Sequence, residues 1–177
     1  MKYFVASDIH GDSYWAERVV SAFQESNADK LILLGDILYH GPRNDLPAHY
    51  EPKKVIEILN SIADRILAVR GNCDTEVDQM VLKFPIMADY IYLADEGQVF
   101  FCTHGHKYDI YNVPPMMPAG AIFITGHTHV AEDTELTSPD GRTYRYLNPG
   151  SPSIPKEDTL PSYIIIENRK AELRRFD

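Results

Sequence analysis

Cysteine is scarce in this chain. Its 177 residues hold two, Cys73 and Cys102, and they are not at CxxC spacing. That argues against a disulfide framework and for a reducing compartment. Long apolar runs are also missing. No stretch approaches the roughly 20 residues a membrane span needs, so no membrane partner is expected. The opening run, Tyr3 to Ala6, is too short for the apolar region of a secretion signal and stops at Ser7-Asp8. The expected location is the cytoplasm. Positive charge is in short supply too: 17 Lys and Arg against 26 Asp and Glu leave a net charge of −9. Non-specific nucleic-acid binding relies on basic surface to displace counterions, and this chain lacks it. A phosphate-bearing substrate stays open, because bound cations reverse the sign locally.

What is present is an ordinary globular balance, 44% hydrophobic and 24% charged. The length fits one domain spanning 1–177. The first half alternates. Tyr3 to Ser7 reads as a strand, and Trp15, Val19, Ala22 and Phe23 fall on one helical face. Leu31 to Leu34 reads as a second strand. Lys53 to Asp64 carries Val55, Ile58, Leu59 and Ile62 on one stripe, a second helix. Ile66 to Val69 is a third strand. This β-α-β-α-β order predicts a parallel sheet with right-handed crossovers. The second half reads as hairpins: Tyr90–Ala94 with Val99–Thr103 around Asp95-Glu96-Gly97-Gln98, Glu135–Thr137 with Thr143–Leu147, and Ser162–Glu167 with Ala171–Phe176. Ala121–Thr125 is a further strand. These strands are expected to be antiparallel, giving two sheets face to face with helices outside. The stretch His40 to Pro52 reads as an ordered loop.

The polar residues fall in a pattern. Asp8 and His10 follow the first strand, Asp36 the second and Asn72 the third. His104 follows Val99–Thr103, and His127 and His129 follow Ala121–Thr125. Singly, each has an ordinary explanation. Asp-x-His after a strand is a common helix cap, Gly-Asp a common turn, and Asn a common left-handed turn residue. Turn chemistry does not account for all of them at five strand ends, the edge where α/β sheets bind ligands. Asp, Asn and His offer oxygen and nitrogen donors without thiolate, a set suited to Mn, and also to Fe, Ni or Zn. Seven side chains exceed one ion's need but suit two divalent ions about 3.5–4 Å apart sharing a carboxylate, an arrangement that clamps both oxygens of an in-line phosphoryl displacement. Two such cations outweigh the two carboxylates and a bridging hydroxide, so the centre would attract an anion.

The order D-x-H, G-D, G-N-x-D, H and G-H-x-H resembles the calcineurin-like metallophosphoesterase superfamily. Gly35-Asp36-Ile37-Leu38-Tyr39-His40-Gly41-Pro42-Arg43-Asn44, Arg70-Gly71-Asn72-Cys73-Asp74, Thr103-His104-Gly105-His106 and Asn148-Pro149-Gly150-Ser151 look like its YfcE-type bacterial phosphodiesterases. The resemblance implies a four-layer α/β/β/α sandwich of two mixed sheets flanked by helices. It implies that Asp8, His10, Asp36 and His129 hold one metal. Asp36, Asn72, His104 and His127 would hold the other, with Asp36 bridging. The activity implied is metal-dependent hydrolysis of a small phosphodiester by a metal-bridging hydroxide. A phosphomonoesterase on the same centre is the alternative. The retromer subunit Vps29 resembles the family but serves in assembly with a degenerate metal site, and all seven residues are present here.

The chain departs from the superfamily after Gly71-Asn72. Many members carry a His there that is proposed to protonate the leaving group; here it is Cys73, a weak donor near neutral pH. His106, Arg43 or a metal-bound water are the candidates to compensate, and Arg43 is read as a bidentate phosphate ligand or else as a salt bridge within its loop. Cys73 itself is either a participant or a spacer. The segment from Tyr108 and Tyr111 to Pro114, Pro115, Met116 and Met117 is expected to shape the substrate pocket or pack an interface, and a homo-oligomer stays open.

Overall fold

The computed structural model describes residues 1–95 and 97–177. In chain order the elements are β1 (Tyr3–Ala6), α1 (Ser13–Glu25), β2 (Lys30–Leu33), α2 (Pro52–Asn60), a 3-10 turn (Ala63–Arg65), β3 (Ile66–Ala68), α3 (Glu76–Val81), β4 (Tyr90–Asp95), β5 (Gln98–Thr103), β6 (Ile122–Ile124), β7 (Ala131–Thr137), β8 (Thr143–Pro149), β9 (Ser162–Glu167) and β10 (Lys170–Arg175). They form two five-stranded sheets, ordered β10-β9-β1-β2-β3 and β4-β5-β6-β8-β7.

Strands β1, β2 and β3 are parallel, as the alternating first half predicts. The last hairpin joins this sheet, with β9 antiparallel to β1. The second sheet departs from the expected antiparallel order, because β6 runs parallel to both β5 and β8. A tight turn forces antiparallel neighbours, whereas long connections do not. Residues 104–121 intervene between β5 and β6, and β7 intervenes between β6 and β8. Of the expected turn Asp95-Glu96-Gly97-Gln98, Glu96 lies outside the described residues, and Asp95 pairs with Gln98.

Alternation along each strand divides the apolar side chains between layers. Val5, Ile32, Leu34, Phe100, Cys102, Ile124 and Leu147 fill the space between the sheets. Burial there raises the Cys102 thiol to about 12, so it stays protonated as an inert filler. Phe4, Ala6, Leu31 and Leu33 face the other way, against Ala16, Val19 and Phe23 of α1 and Val55 and Leu59 of α2. Asp12 caps α1 by accepting from Trp15 N at 3.0 Å. The second helix ends at Asn60, short of the expected Asp64, and a 3-10 turn follows. The short α3 was not expected. It carries a Thr75–Asp78 capping box, but its Val77, Met80 and Val81 are exposed, so it lacks the inward stripe by which a helix is read.

The fourth layer, outside the second sheet, is made by the irregular segment 105–120. Its Tyr108, Ile110, Val113 and Met117 pack over Phe101, Phe123, Tyr144 and Tyr146. Pro114, Pro115 and Pro118 keep that segment from being helical. The packing answers what these residues do: they cover a sheet, while Tyr111 and Met116 point to solvent.

Candidate metal centre

Each of the seven side chains stands just past the C-terminal end of β1, β2, β3, β5 or β6, where the two sheets meet. The local backbone is unusual. Asp8, His10, Asp36, His127 and His129 all have φ between 52° and 70°. Non-glycine residues seldom adopt this left-handed conformation, and it persists only where the surroundings enforce it. The enforcing contacts are visible. Asp8 N donates to Gly35 O at 3.1 Å, His10 N to Asp36 O at 2.9 Å and Gly126 N to His104 O at 2.8 Å. The Asp74 carboxylate accepts from Asp36 N at 2.8 Å, Ile37 N at 2.9 Å and Gly71 N at 2.7 Å, lashing the loop after β2 to the loop after β3. Ser151 Oγ donates to Asp8 O at 2.7 Å, and Asn148 Nδ2 to Gly126 O at 2.8 Å. The Asn148–Ser151 motif therefore acts by positioning its neighbours. Two glycines leave the room needed: a Cβ on Gly71 would collide with Asp36 Oδ1, and one on Gly126 with Ser7 Oγ.

The ring nitrogens tell what the centre is for. His10 Nδ1 lies 2.7 Å from Tyr39 O, His104 Nδ1 2.7 Å from Leu34 O, and His129 Nδ1 3.1 Å from Ile154 O. A carbonyl only accepts, so each Nδ1 carries a proton, and Nε2 is the nitrogen turned to the centre. Those nitrogens converge. His10 Nε2 and His129 Nε2 are 3.1 Å apart, and His129 Nε2 is 3.3 Å from Asp8 Oδ1. That oxygen is buried and has no hydrogen-bond partner among the described residues. His10 Nε2 is also 3.7 Å from Asp36 Oδ2. On the other side of Asp36, His104 Nε2 lies 3.5 Å from the same Oδ2, 2.9 Å from Asn72 Oδ1 and 3.2 Å from His127 Nδ1. A cation placed among these atoms would meet a lone pair from each of them once any second ring proton is released. Imidazoles that donate their far N–H to carbonyls are the usual orientation of metal-binding histidines.

The electrostatics agree. Burial would raise the Asp8 carboxyl, but the imidazoles of His104, His10 and His129 overcome it and hold the group well below the usual carboxylate range. Burial opposes charge on His10, yet contact with the Asp8 carboxylate raises it above the ordinary imidazole value. His127 is lowered by burial and then by His104, which favours its neutral form. Cation binding in such a place displaces protons from the donors. Two three-residue groupings within the donor set, Asp8-His10-His129 and Asp8-Asp36-His104, bring ligand atoms within 4.8 Å of one another, and a third adds Cys73 to His10 and Asp36, so the donors fit a divalent cation.

The three further residues are distributed unequally. Cys73 donates its N–H to Asp36 Oδ1 at 2.8 Å, and its Sγ accepts from Asn72 Nδ2 at 3.2 Å. Burial, then the Asp36 carboxylate, pushes its thiol far above the ordinary value. His106 is exposed on the rim, its ring centroid 5.2 Å from that of His104 and 6.3 Å from that of His127. Arg43 lines a cleft of about 310 Å³ together with Asp36, Asn72, His127 and His129. Among the described residues it makes no ion pair, so the loop salt bridge is not seen. Sequence reading missed Asn44, Thr128 and Lys156, which complete the lining. Lys156 reaches the cleft because its N–H donates to His129 O at 3.1 Å. The proline-rich stretch after Gly150 was its only local signal.

Residues 1–171 match the family model for the calcineurin-like phosphoesterase superfamily domain. The chain is 45% identical over 168 residues, 95% of its length and 88% of the relative's, to Phosphodiesterase YfcE of Escherichia coli strain K12. The solved structure of Yfce, a phosphoesterase from E. coli, superimposes with a TM-score of 0.86 at 41% identity over 100% of both chains. A novel archaeal phosphodiesterase shares 21% identity and a TM-score of 0.61 over 98% of each chain, a likeness of fold.

Proposed function

The chain belongs to the calcineurin-like phosphoesterase superfamily, and we propose that it is a dinuclear, metal-dependent phosphodiesterase acting on a small phosphodiester. The observation that carries this reading is the convergence of the His10 and His129 Nε2 atoms, 3.1 Å apart, on the buried Asp8 Oδ1, which has no hydrogen-bond partner among the described residues. In our reading Asp8, His10, Asp36 and His129 hold one divalent ion. Asp36, Asn72, His104 and His127 hold the other. Two ions so held would supply Lewis acidity for the phosphoryl oxygens and lower the pKa of water at the centre. Manganese is the ion we assign to these mixed oxygen and nitrogen donors.

The remaining work falls to the chain. Arg43 and Lys156 place positive charge at the cleft mouth, where a phosphate anion enters, and Arg43 can meet two of its oxygens at once. Asp74 fixes the backbone of Asp36, and so the carboxylate common to both halves. Across the reaction a water oxygen bonds to phosphorus, the bond to one alkoxide breaks, and the proton water gives up ends on the departing oxygen. In our reading exposed His106, beside His104 and His127, passes that proton on. The Cys73 thiol, pushed up by burial, gives up its own proton with difficulty.

Lys156 adds a second cation to the one the sequence made evident, and a monoester dianion makes use of both; the monoesterase reading is the second one. The experiment is turnover of a nitrophenyl phosphodiester and the matched monoester after metal stripping. Chelation is expected to abolish hydrolysis, Mn²⁺ to restore it most readily, and the diester to have the higher kcat/KM. Full activity after prolonged dialysis against excess chelator would overturn the metal-dependent reading, and a higher kcat/KM for the monoester would favour the second.

A further inference from the structure

Beside the metal-binding loops lies a groove of about 400 Å³ walled by Leu38, Tyr39, Ile56, Cys73, Val77 and Val81. It differs in kind from the cleft that holds Arg43 and Lys156, for its wall is chiefly apolar. Of the charged groups at its edge, Asp78 is engaged by Thr75 N at 2.7 Å and Thr75 Oγ1 at 2.9 Å, and Lys53 is exposed at the solvent side. Several of its apolar groups stand in water: Val77 is 69% exposed, Val81 42% and Tyr39 41%. Apolar surface arranged as a concavity next to a reaction centre is surface that an apolar ligand can cover.

The groove and the metal centre share residues. Tyr39 lends its side chain to the groove and its carbonyl oxygen to His10. Cys73 lines the groove, while its N–H holds Asp36. The polar cleft adjoins across Gly41, where a Cβ would lie 3.1 Å from Cys73 Sγ and 3.5 Å from Asn44 Nδ2. Asn44 belongs to the cleft lining. A phosphodiester carries two organic arms that leave phosphorus in different directions, and this centre is flanked by one polar concavity and one apolar one.

We infer that the groove walled by Leu38, Tyr39, Ile56, Cys73, Val77 and Val81 binds an uncharged, apolar alcohol arm of the substrate. The substrate class is then an asymmetric phosphodiester with one alkyl or aryl alcohol and one polar alcohol, the polar arm lying toward Arg43 and Lys156. This rests on the phosphodiesterase reading above and narrows it. Cys73 takes part as wall, and Val77 and Val81 set the preference for length.

The test uses the methyl, butyl and octyl esters of glycerol phosphate with the Mn²⁺-loaded full-length chain, followed by ³¹P NMR. The kcat/KM is expected to rise about tenfold or more from methyl to octyl, the range that apolar contacts supply in a binding pocket. Val77→Asp should collapse the octyl-to-methyl ratio toward one. Aspartate is welcome in the first turn of a helix, so α3 tolerates it. Met80→Ser, on the same helix and outside the groove, should keep the ratio. A flat series in the wild type, or a ratio that survives Val77→Asp, overturns the inference. A second readout is independent of turnover: methyl(octyl)phosphinate, whose organic arms are both joined to phosphorus through carbon and so offer no ester to hydrolyse, should shift the methyl resonances of Ile56, Val77 and Val81. Shifts confined to other methyls overturn the inference. If sedimentation shows a dimer that Val77→Asp dissociates while the series is flat, the groove is an interface between copies instead. Absence of turnover for every ester, with the methyl shifts present, would count against the phosphodiesterase reading and leave the groove's apolar ligand standing.

Discussion

At the scale of single residues, Cys73 is the most informative position. Its backbone serves the centre through Asp36, while its side chain is a buried thiol raised by burial and then by the carboxylate beside it. A group so reluctant to release a proton is a poor general acid. Esters of acidic alcohols need no such help, and esters of ordinary alcohols do, typically by 10²–10⁴-fold from a well-placed acid. Imidazole, with an unperturbed pKa of roughly 6.5, donates far better near neutral pH. Cys73→His is therefore expected to raise turnover of an alkyl or nucleoside diester at least tenfold relative to a nitrophenyl diester. The measurement is the slope of log rate against leaving-group pKa, which should flatten in the variant. An unchanged slope would hand the role of acid to another group, His106 first.

At the scale of elements, the centre depends on two loops being tied together. The Asp74 carboxylate is the tie, holding N–H groups of the loop after β2 and of its own loop after β3. Asp74→Ala would leave three buried donors without an acceptor. Each such loss costs about 1–3 kcal/mol, so a destabilisation of about 3 kcal/mol or more is expected. Metal stoichiometry should fall with it, since Asp36 loses its support. Denaturant midpoints and metal content after gel filtration check both. Asp74→Asn keeps the shape and one accepting oxygen, and should fall between wild type and Asp74→Ala. Wild-type values for Asp74→Ala in both measurements would show the tie to be dispensable.

At the scale of the whole molecule, the centre lies where two sheets meet, with donors drawn from both. Asp8, His10, Asp36 and Asn72 follow strands of the first sheet, and His104, His127 and His129 follow strands of the second. Cations bound there link the sheets in the folded state and find no such arrangement in the unfolded chain. A ligand at 100 times its Kd stabilises by about 2.7 kcal/mol. For a chain of this size that corresponds to a rise of about 5–10 °C in Tm. Calorimetry of the stripped protein with and without Mn²⁺ should show it. Asp36→Ala, which removes the carboxylate facing both halves, should lose most of the rise. An equal rise in wild type and Asp36→Ala would place the stabilising ion elsewhere.

Much of the candidate metal centre was legible before folding, because its residues recur at strand ends and their types share one chemistry. The apolar alternation in Tyr3–Ser7 and Leu31–Leu34 is local, and so is the turn chemistry that puts Asp8 and Asp36 after it. What local pattern does not encode is which distant strands become neighbours. The parallel course of β6 depends on long connections. Lys156 enters the cleft through a hydrogen bond to His129, and the covering role of Tyr108–Met117 depends on a sheet face formed by residues far away in the chain. The α3 helix escaped notice because its apolar side chains face outward, so no inward stripe marks it. The donor types and their order were thus determined by the sequence alone. The tertiary structure decided which lone pairs face one another, and it set an apolar groove beside a charged cleft, since both are relations between segments that only packing brings together.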